Sequence, residues 1–195
     1  MQAEVSLEDV LRADVYRLLA VLLRAGPDDE NLSMLATMRG DETELGKAVA
    51  SLALLAQKTT PAEIDIEYHE LFIGTDAGEL EPYRSAYLHG SAYSKNLNQL
   101  RDDMSRVGIG MRNDVQEPED HIAALCEMMA GMILGDFSHP VPLEEQKEFF
   151  GAHIEDWAKI FFTDLQMARH SVFYTGVGAI GCAFMDIETS AFEML

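Results

Sequence analysis

Apolar residues recur along this chain at offsets of three and four residues, which is the spacing that places side chains on one face of an α-helix. The clearest run consists of Tyr93, Leu97, Leu100, Met104 and Val107. No segment alternates apolar and polar residues in the manner of two strands joined by a hairpin turn, and no internal repeat is present. The periodicity therefore predicts an all-α fold.

The first helix has a clear start and a clear stop. Ser6 is followed three residues later by Asp9, and this spacing lets the two side chains cap the first turn. The pair Gly26-Pro27 ends the helix, because proline cannot continue it. The predicted apolar face of this helix consists of Leu11, Val15, Leu18 and Leu22.

A second helix start is equally well marked. Thr60 offers a capping hydroxyl, Pro61 suits the first helical position, and Glu63 can complete a capping box. Gly74 is predicted to close this helix. Further helices are predicted near residues 28–38, 41–58, 93–107, 117–132 and 170–187, and as two helices or one kinked helix between about 149 and 165.

The length of 195 residues suits one domain, and we predict a single all-helical bundle over residues 1–195. Gly78 and Pro82 interrupt the helical pattern, so residues 75–84 are predicted to form a loop. This loop is where a hinge between two halves of the bundle would lie.

The charge of the chain restricts its partners. The sequence has 14 Lys and Arg residues against 34 Asp and Glu residues, a formal net charge of −20. Such a surface repels the phosphates of nucleic acids and anionic lipid headgroups, and it attracts basic segments. We therefore predict no nucleic-acid partner.

Three features bear on the cellular compartment. The longest apolar stretch, Val172 to Met185, is too short to cross a bilayer, so no membrane insertion is predicted. The N-terminus has neither the basic nor the apolar region of a secretory signal. Cys126 and Cys182 form no CxxC pair, which favours a reducing compartment. Together these features predict a cytoplasmic protein.

Two patterns typical of enzymes occur outside their usual context. Gly176 to Gly181 matches GxGxxG, but a dinucleotide site needs a preceding strand within a βαβ unit. Close approach of a helix to its neighbours explains these glycines instead. Ser85 and His121 could belong to a hydrolytic triad, but Ser85 lacks the flanking glycines of a nucleophile elbow. No catalytic residue is therefore predicted.

The densest polar cluster consists of Glu117, Glu119, Asp120 and His121. Successive helical residues point about 100° apart, so these side chains do not converge readily on one metal ion. Acids in the first turn of a helix complement its dipole, which explains the carboxylates but leaves the histidine unexplained. We predict no bound metal and no cofactor.

One predicted loop combines aromatic and acidic residues. Pro82 and Tyr83 lie in the glycine-broken segment that also holds Asp76, Glu79 and Glu81. Aromatic side chains among carboxylates suit a basic, apolar peptide. The helix end before this loop contributes Tyr68, Leu71 and Phe72, whose helical spacing suits a hydrophobic core as well.

Three blocks of this sequence, at residues 68–74, 81–87 and 117–122, carry a family likeness. In content, order and separation they resemble the TorD/DmsD family of molybdoenzyme chaperones. The run from Trp157 to Tyr174 is similar to the C-terminal helices of that family. The resemblance covers nearly the whole chain.

The resemblance implies an all-helical chaperone that acts in the cytoplasm on a molybdenum-containing redox enzyme. Its partner would be the apo catalytic subunit, bound through a basic, apolar twin-arginine leader until the cofactor is inserted before export. The leader-binding residues expected from the family, with three more from the same blocks, are Tyr68, Leu71, Phe72, Glu81, Pro82, Tyr83, Ser85, Tyr87, Glu117, Asp120 and His121. Some members form domain-swapped homodimers, and residues 75–84 would then be the exchange hinge.

The expected energetics of leader binding separate apolar from charged contacts. Burial of apolar surface contributes about 25 cal/mol per Å², so Leu71, Phe72 and Tyr83 are expected to supply most of the affinity. Exposed charge pairs contribute only about 0–1 kcal/mol each. The net charge is expected to speed encounter, and Asp120 to receive a leader arginine, bidentately where geometry allows.

Two other classes of function stay open at this point. One is an enzyme, either a serine hydrolase using Ser85 and His121 or a metal-dependent hydrolase using Glu117, Asp120 and His121. The other is a helical adaptor that assembles into a larger complex. Within the family, the nearest alternative is a nitrate-reductase-type assembly chaperone whose client lacks a conventional leader.

Overall fold

The structure of the protein, a computed structural model, describes residues 5–75, 77–88, 93–110 and 118–195. The regular secondary structure of these residues is helical. They contain one isolated β-bridge and no strand. The prediction of an all-α fold is confirmed. The helices are α1 (Leu7–Arg24), α2 (Asp29–Thr37), α3 (Glu44–Ala56), α4 (Pro61–Tyr68) with its π-helical extension (His69–Ile73), α5 (Arg84–Tyr87), α6 (Tyr93–Arg106), α7 (Ile122–Leu134), α8 (Leu143–His153), α9 (Ala158–Met167) and α10 (Tyr174–Glu193).

Both predicted helix starts have the expected hydrogen bonds. The Asp9 N–H donates to Ser6 Oγ over 3.1 Å, and the Ser6 hydroxyl donates to Asp9 Oδ2 over 2.7 Å. At α4 the capping box is complete, since Thr60 Oγ1 accepts from the Glu63 N–H and the Glu63 carboxylate accepts from the Thr60 N–H. These are local interactions, which is why the sequence predicts them.

The predicted inner face of α1 is wrong in part, since Leu22 is buried but Val15 and Leu18 are only half-buried. Leu11 is 58% exposed, whereas Tyr16 and Leu19 are completely buried. Apolar residues occupy two overlapping stripes of this helix, rotated by about 100° from each other. The packing of neighbouring elements selects the stripe that contains Tyr16 and Leu19, and the periodicity alone cannot distinguish the two.

The chain divides into two compact units. Unit 1 comprises residues 1–20, 83–157 and 195, and unit 2 comprises residues 21–82 and 158–194. One division in the sequence falls between Pro82 and Tyr83, inside the segment predicted to be a hinge. The prediction of a single domain over residues 1–195, and that of the hinge, stay predictions.

In unit 1, α7 packs against α8. Helix α7 is apolar on nearly every side, and Leu125, Met129 and Met132 are completely buried. Its C-terminus is closed by Gly135, whose φ of 81° lies in the left-handed region that favours glycine. None of the helices in the described part of the chain is long and apolar enough to cross a membrane.

In unit 2, α10 packs closely on α9 and α3. The three glycines of the GxGxxG pattern lie on buried positions of α10. A Cβ at Gly178 would lie 2.8 Å from the carbonyl oxygen of Phe162, and a Cβ at Gly181 would overlap the Phe162 ring. The glycines therefore serve close helix packing, as predicted, and belong to no strand-turn-helix unit.

The start of α10 is capped by a residue distant in sequence. No side chain at the preceding position caps this helix. Instead, the carboxylate of Glu67 on α4 accepts hydrogen bonds from the N–H groups of Val172, Phe173 and Tyr174, at 2.8, 3.0 and 2.8 Å. A carboxylate at this end of a helix satisfies N–H groups that lack a helical partner and complements the helix dipole.

Replacement of Glu67 by alanine is expected to lower the free energy of unfolding by about 2 kcal/mol. Three N–H groups lose a charged acceptor, and hydrogen bonds to charged groups contribute roughly 1.5–3 kcal/mol when buried and less when solvent can replace the acceptor. Urea denaturation followed by circular dichroism measures the change. The matched control is Glu70→Ala, a neighbouring exposed glutamate, for which we expect a change within about 0.5 kcal/mol. Equal effects of the two substitutions would contradict the capping role.

Candidate functional site

Two loops that are distant in sequence meet in unit 1. Tyr83 and His121 form an antiparallel β-bridge, and their rings contact edge to face with centroids 5.0 Å apart. Alongside, the N–H of Arg84 donates to the carbonyl oxygen of Asp120 over 3.1 Å. The predicted proximity of the second and third sequence blocks is thus present in the structure.

The Asp120 side chain turns back onto the first of these loops. Its Oδ2 accepts from the N–H of Ser85 over 3.0 Å, at the first turn of α5. The residue is only 6% exposed, and its Oδ1 is buried with no hydrogen-bond partner among the described residues. The carboxylate therefore fixes the loop with one oxygen and leaves the other one unused.

His121 is the N-cap of α7. Its Nδ1 accepts a hydrogen bond from the N–H of Ala123 over 3.0 Å, and the residue is 3% exposed. The proton of a neutral ring then lies on Nε2. This explains the histidine that the dipole argument could not explain, since an acceptor nitrogen replaces the usual capping oxygen.

Neighbouring side chains hold α5 in place. The guanidinium of Arg84 donates from Nε and Nη2 to the two carboxylate oxygens of Asp156, at 3.3 and 2.8 Å. The ring of Tyr87 lies 5.4 Å from that of Trp157, centroid to centroid. Tyr83, Ser85 and Tyr87 themselves are half-buried. Of these three, Tyr83 lies at the junction of the two loops.

Glu119 is engaged in an ion pair within unit 1. Arg101 donates from Nε and Nη2 to its two carboxylate oxygens, both over 3.0 Å. Burial alone would raise the pKa of Glu119, but the hydrogen bonds and charge of Arg101 hold it below its ordinary value. This carboxylate stays ionised and serves to position the segment before α7.

The remaining predicted site residues belong to unit 2. Tyr68 and Phe72 are half-buried, and their rings contact each other with centroids 5.0 Å apart. Both also contact the ring of Tyr174, and the Tyr68 hydroxyl donates to the carbonyl oxygen of Arg24 over 2.8 Å. This helix end is therefore an aromatic cluster that is part of the packing of unit 2.

Two predicted contacts need correction. Leu71 is completely buried and offers no surface to a ligand, because it packs inward from the π-helical turn. Pro82 is buried as well. Asp120 is only 6% exposed and its Oδ2 accepts from the Ser85 N–H, so the capture of an arginine by this carboxylate stays a prediction. Phe72 and Tyr83 keep partial exposure and stay candidates.

The acids of the predicted loop have different roles. The carboxylate of Glu79 is used inside unit 2, where it accepts from the N–H groups of Arg169 and His170 at 2.6 and 3.1 Å. Glu81 is exposed and available to a partner. Asp76 and Glu117 lie outside the described residues, so their predicted contributions stay predictions.

The described residues give no support to the hydrolytic alternatives. Within these ranges no group of three or more His, Cys, Asp and Glu side chains could hold a metal ion. His121 Nδ1 is committed to the backbone of α7. The geometry joins two loops around an aromatic ring, which suits the holding of a partner.

Comparison with known proteins finds a family model, curated relatives and a solved structure that resemble this chain. The family model described as nitrate reductase delta subunit matches residues 39–163. The chaperone protein TorD of Vibrio cholerae is 22% identical over 215 residues, covering 100% of this chain and 98% of the relative. A Tat proofreading chaperone, DmsD, of Haemophilus influenzae is 26% identical over 174 residues, covering 84% and 83%. A crystal structure described as that of a redox enzyme maturation protein from Archaeoglobus fulgidus matches with a TM-score of 0.58 and 20% identity over 90% of this chain and 94% of the other.

The helical fold and these relatives define a class, that of the TorD-like chaperones. The names of the relatives are those of chaperones and not of enzymes. The chain belongs to the TorD-like nitrate reductase delta subunit family. The resemblance seen in the three sequence blocks is confirmed.

Proposed function

We propose that this protein binds the basic, apolar leader of an apo molybdenum-containing redox enzyme in the cytoplasm and holds the enzyme until its cofactor is inserted before export. The observation that carries the proposal is the pairing of Tyr83 with His121, which joins two loops that both belong to the family blocks. Relatives named TorD and Tat proofreading chaperone support the same function.

The apolar part of the interaction is assigned to Tyr83 in unit 1, and Phe72 of unit 2 stays a candidate that rests on the sequence likeness alone. Each ring is held by aromatic neighbours yet keeps some exposed surface. A ring fixed in this way loses little conformational freedom when a ligand covers it, and aromatic anchors of this kind dominate peptide affinity. Tyr83 is expected to contribute more, because it lies where the two loops join.

The acidic surface supports the basic part of the interaction. The net charge of −20 raises the local concentration of a cationic peptide and increases its association rate. Glu81 is the exposed carboxylate nearest in sequence to Tyr83 among the predicted site residues. We assign to it the orientation of an arginine, with a contribution of about 0–1 kcal/mol typical of exposed pairs.

Isothermal titration calorimetry of the full chain against a panel of synthetic twin-arginine leaders tests the proposal. We expect one leader to bind with a dissociation constant in the micromolar range or tighter, and its affinity to fall as salt is added, because the charges are screened. The same peptide with both arginines replaced by glutamine is the control. Absence of binding across the whole panel would contradict leader recognition.

A second candidate is favoured by the description of the matching family model, nitrate reductase delta subunit. In that case the client is a nitrate-reductase-type subunit without a conventional leader, and the chaperone binds its body. Co-purification with the apo subunit lacking its N-terminal segment distinguishes the two candidates. A homodimer formed by domain swapping through residues 75–84 stays a prediction, which light scattering of the purified protein can test.

A further inference from the structure

A groove open to solvent lies between α6 and α8, two helices of unit 1. Its free space is about 170 Å³. A water molecule needs only about 10–15 Å³ of such space, so the groove has room for a long side chain. On α8 the lining residues are Glu145, Glu148, Phe149 and Ala152, whose offsets of three, four and seven place them on one face of the helix.

Two side-chain pairs join the helices and give their relative direction. His153 Nε2 lies 2.7 Å from Asp103 Oδ2, and Arg106 Nη1 lies 3.5 Å from Glu148 Oε2. Because the later residue of α8 pairs with the earlier residue of α6, the helices run in opposite directions along the groove. Glu145 comes about one helical turn before Glu148, so it lies beyond Arg106, at the end of the groove away from His153.

The charges that line the groove are mainly negative. Three carboxylates, those of Asp103, Glu145 and Glu148, are accompanied by one guanidinium, that of Arg106, so the lining carries a formal charge of −2. Arg106 pairs with Asp103 on its own helix and with Glu148 across the groove. The Glu145 carboxylate has no hydrogen bond or ion pair with any residue that the structure describes. A cationic partner is therefore favoured at the Glu145 end.

Apolar surface lies beside this carboxylate. The groove is also lined by the ring of Phe149 and the half-buried side chain of Val107. A long side chain with an apolar stem and a cationic head suits such surroundings. A guanidinium is more weakly hydrated than an ammonium group, packs against aromatic rings and binds a carboxylate with two parallel hydrogen bonds, so arginine fits better than lysine. Glu145 is exposed, so a partner can reach it from solvent.

Contacts at the other end of the groove connect it with the paired loops. His153, the last residue of α8, pairs with Asp103 of the groove. Three residues further on, Asp156 accepts a hydrogen bond from the guanidinium of Arg84 over 2.8 Å, and Arg84 directly follows Tyr83. The groove is thus continuous with the part of unit 1 that carries Tyr83, as a single bound leader requires.

We infer that this groove binds one arginine side chain of the client leader, with Glu145 as its ionic partner and with Val107 and Phe149 against its stem. The inference deepens the proposed function and rests on it for the source of the arginine. A twin-arginine leader brings two such side chains, whereas Asp120, the acid expected from the sequence likeness, is buried. Glu145 belongs to none of the three sequence blocks that carry the likeness.

Glu145→Gln is the informative variant, and Glu144→Gln is its matched control. Both residues are exposed acids in the first turn of α8, so the two substitutions change the net charge and the interaction with the helix dipole equally. Of the two, Glu145 lines the groove. In calorimetry of the full chain with a twin-arginine leader, we expect Glu145→Gln to weaken binding about fivefold and Glu144→Gln less than about 1.5-fold. Equal losses in both variants would show that only net charge acts, and would overturn the inference.

A change in the peptide identifies the partner of Glu145. Citrulline is an uncharged analogue of arginine with nearly the same shape, and it is placed at each of the two arginine positions in turn. At one position we expect citrulline to weaken binding to the wild-type chain and to abolish the effect of Glu145→Gln, because the pair is already broken. An effect of Glu145→Gln that persists in full with both citrulline peptides would exclude an arginine as its partner.

A small probe separates this inference from the proposed function. N-acetylarginine amide is titrated into the ¹⁵N-labelled full chain, and we expect saturable shifts of the backbone amide resonances of Val107, Glu148 and Ala152. N-acetylcitrulline amide is expected to give less than about a fifth of these shifts, because it lacks the charge. Shifts with the arginine probe but no binding of any leader would overturn the proposed function while the groove stands. Leader binding that Glu145→Gln leaves unchanged would overturn the groove while leader recognition stands.

Discussion

Gly181→Ala is expected to lower the free energy of unfolding by about 2 kcal/mol. The new methyl group would overlap the ring of Phe162, which is completely buried, so the ring or the helix must shift within a packed core. Overpacking of a core costs roughly 1–3 kcal/mol, and the better helix propensity of alanine offsets up to about 1 kcal/mol of it. For a chain of this length the expected decrease in melting temperature is about 4–8 °C. Thermal denaturation followed by circular dichroism measures it.

The chain offers a matched control with the opposite sign. Gly151 lies on an exposed face of α8, where a Cβ would meet only the Glu155 carboxylate at 3.5 Å. Gly151→Ala should therefore raise the free energy of unfolding by about 0.5–1 kcal/mol through helix propensity alone. Combining Gly181→Ala with Phe162→Leu should cost less than the sum of the two single changes, because the smaller side chain makes room. Strict additivity would contradict the proposed clash.

Tyr83→Ala is expected to increase the dissociation rate of a bound leader about 30-fold, which corresponds to about 2 kcal/mol for the loss of an aromatic anchor. The association rate should change little, because the substitution removes no charge. Surface plasmon resonance with an immobilised leader measures both rates. The edge-to-face contact with His121 is also lost, so circular dichroism must show that the helix content is retained.

Tyr83→Phe separates the ring from its hydroxyl. The phenylalanine ring keeps the contact with His121 and the apolar surface, so the dissociation rate should stay within about threefold of the wild-type value. Tyr87→Ala removes the ring that contacts Trp157. It tests whether the loss of another aromatic ring of this segment increases the dissociation rate as Tyr83→Ala does. An unchanged dissociation rate for Tyr83→Ala would exclude Tyr83 from the binding surface.

The predicted site residues differ in how much of their position and role can be inferred from the local sequence. Tyr83, Ser85, Asp120 and His121 come together because two family blocks pair across a β-bridge. The sequence likeness predicts this proximity, but it does not assign the individual roles. The sequence predicts that Asp120 receives a leader arginine, whereas the structure shows a buried carboxylate with one oxygen bound to the Ser85 N–H.

Other contacts of the fold have little or no signal in the sequence. Nothing in the periodicity of α4 indicates that Glu67 caps α10, since the N–H groups it binds lie more than one hundred residues away. His153 is a polar residue in an otherwise apolar run of α8, which is the one hint that the sequence offered of its buried position. Its pairing with Asp103 depends on which helices pack together.

The sequence by itself determined the helical fold class, the starts of α1 and α4, the close packing at the α10 glycines and the family. Capping and periodicity act between residues a few positions apart, and the family likeness lies in the content and spacing of three short blocks. Only the tertiary structure decided which apolar stripe of α1 is buried, that Leu71 is inaccessible, and that α6 and α8 enclose a groove. These outcomes depend on contacts between distant segments. Burial and the satisfaction of polar atoms are properties of packed surfaces, and no single segment contains the surface against which it packs.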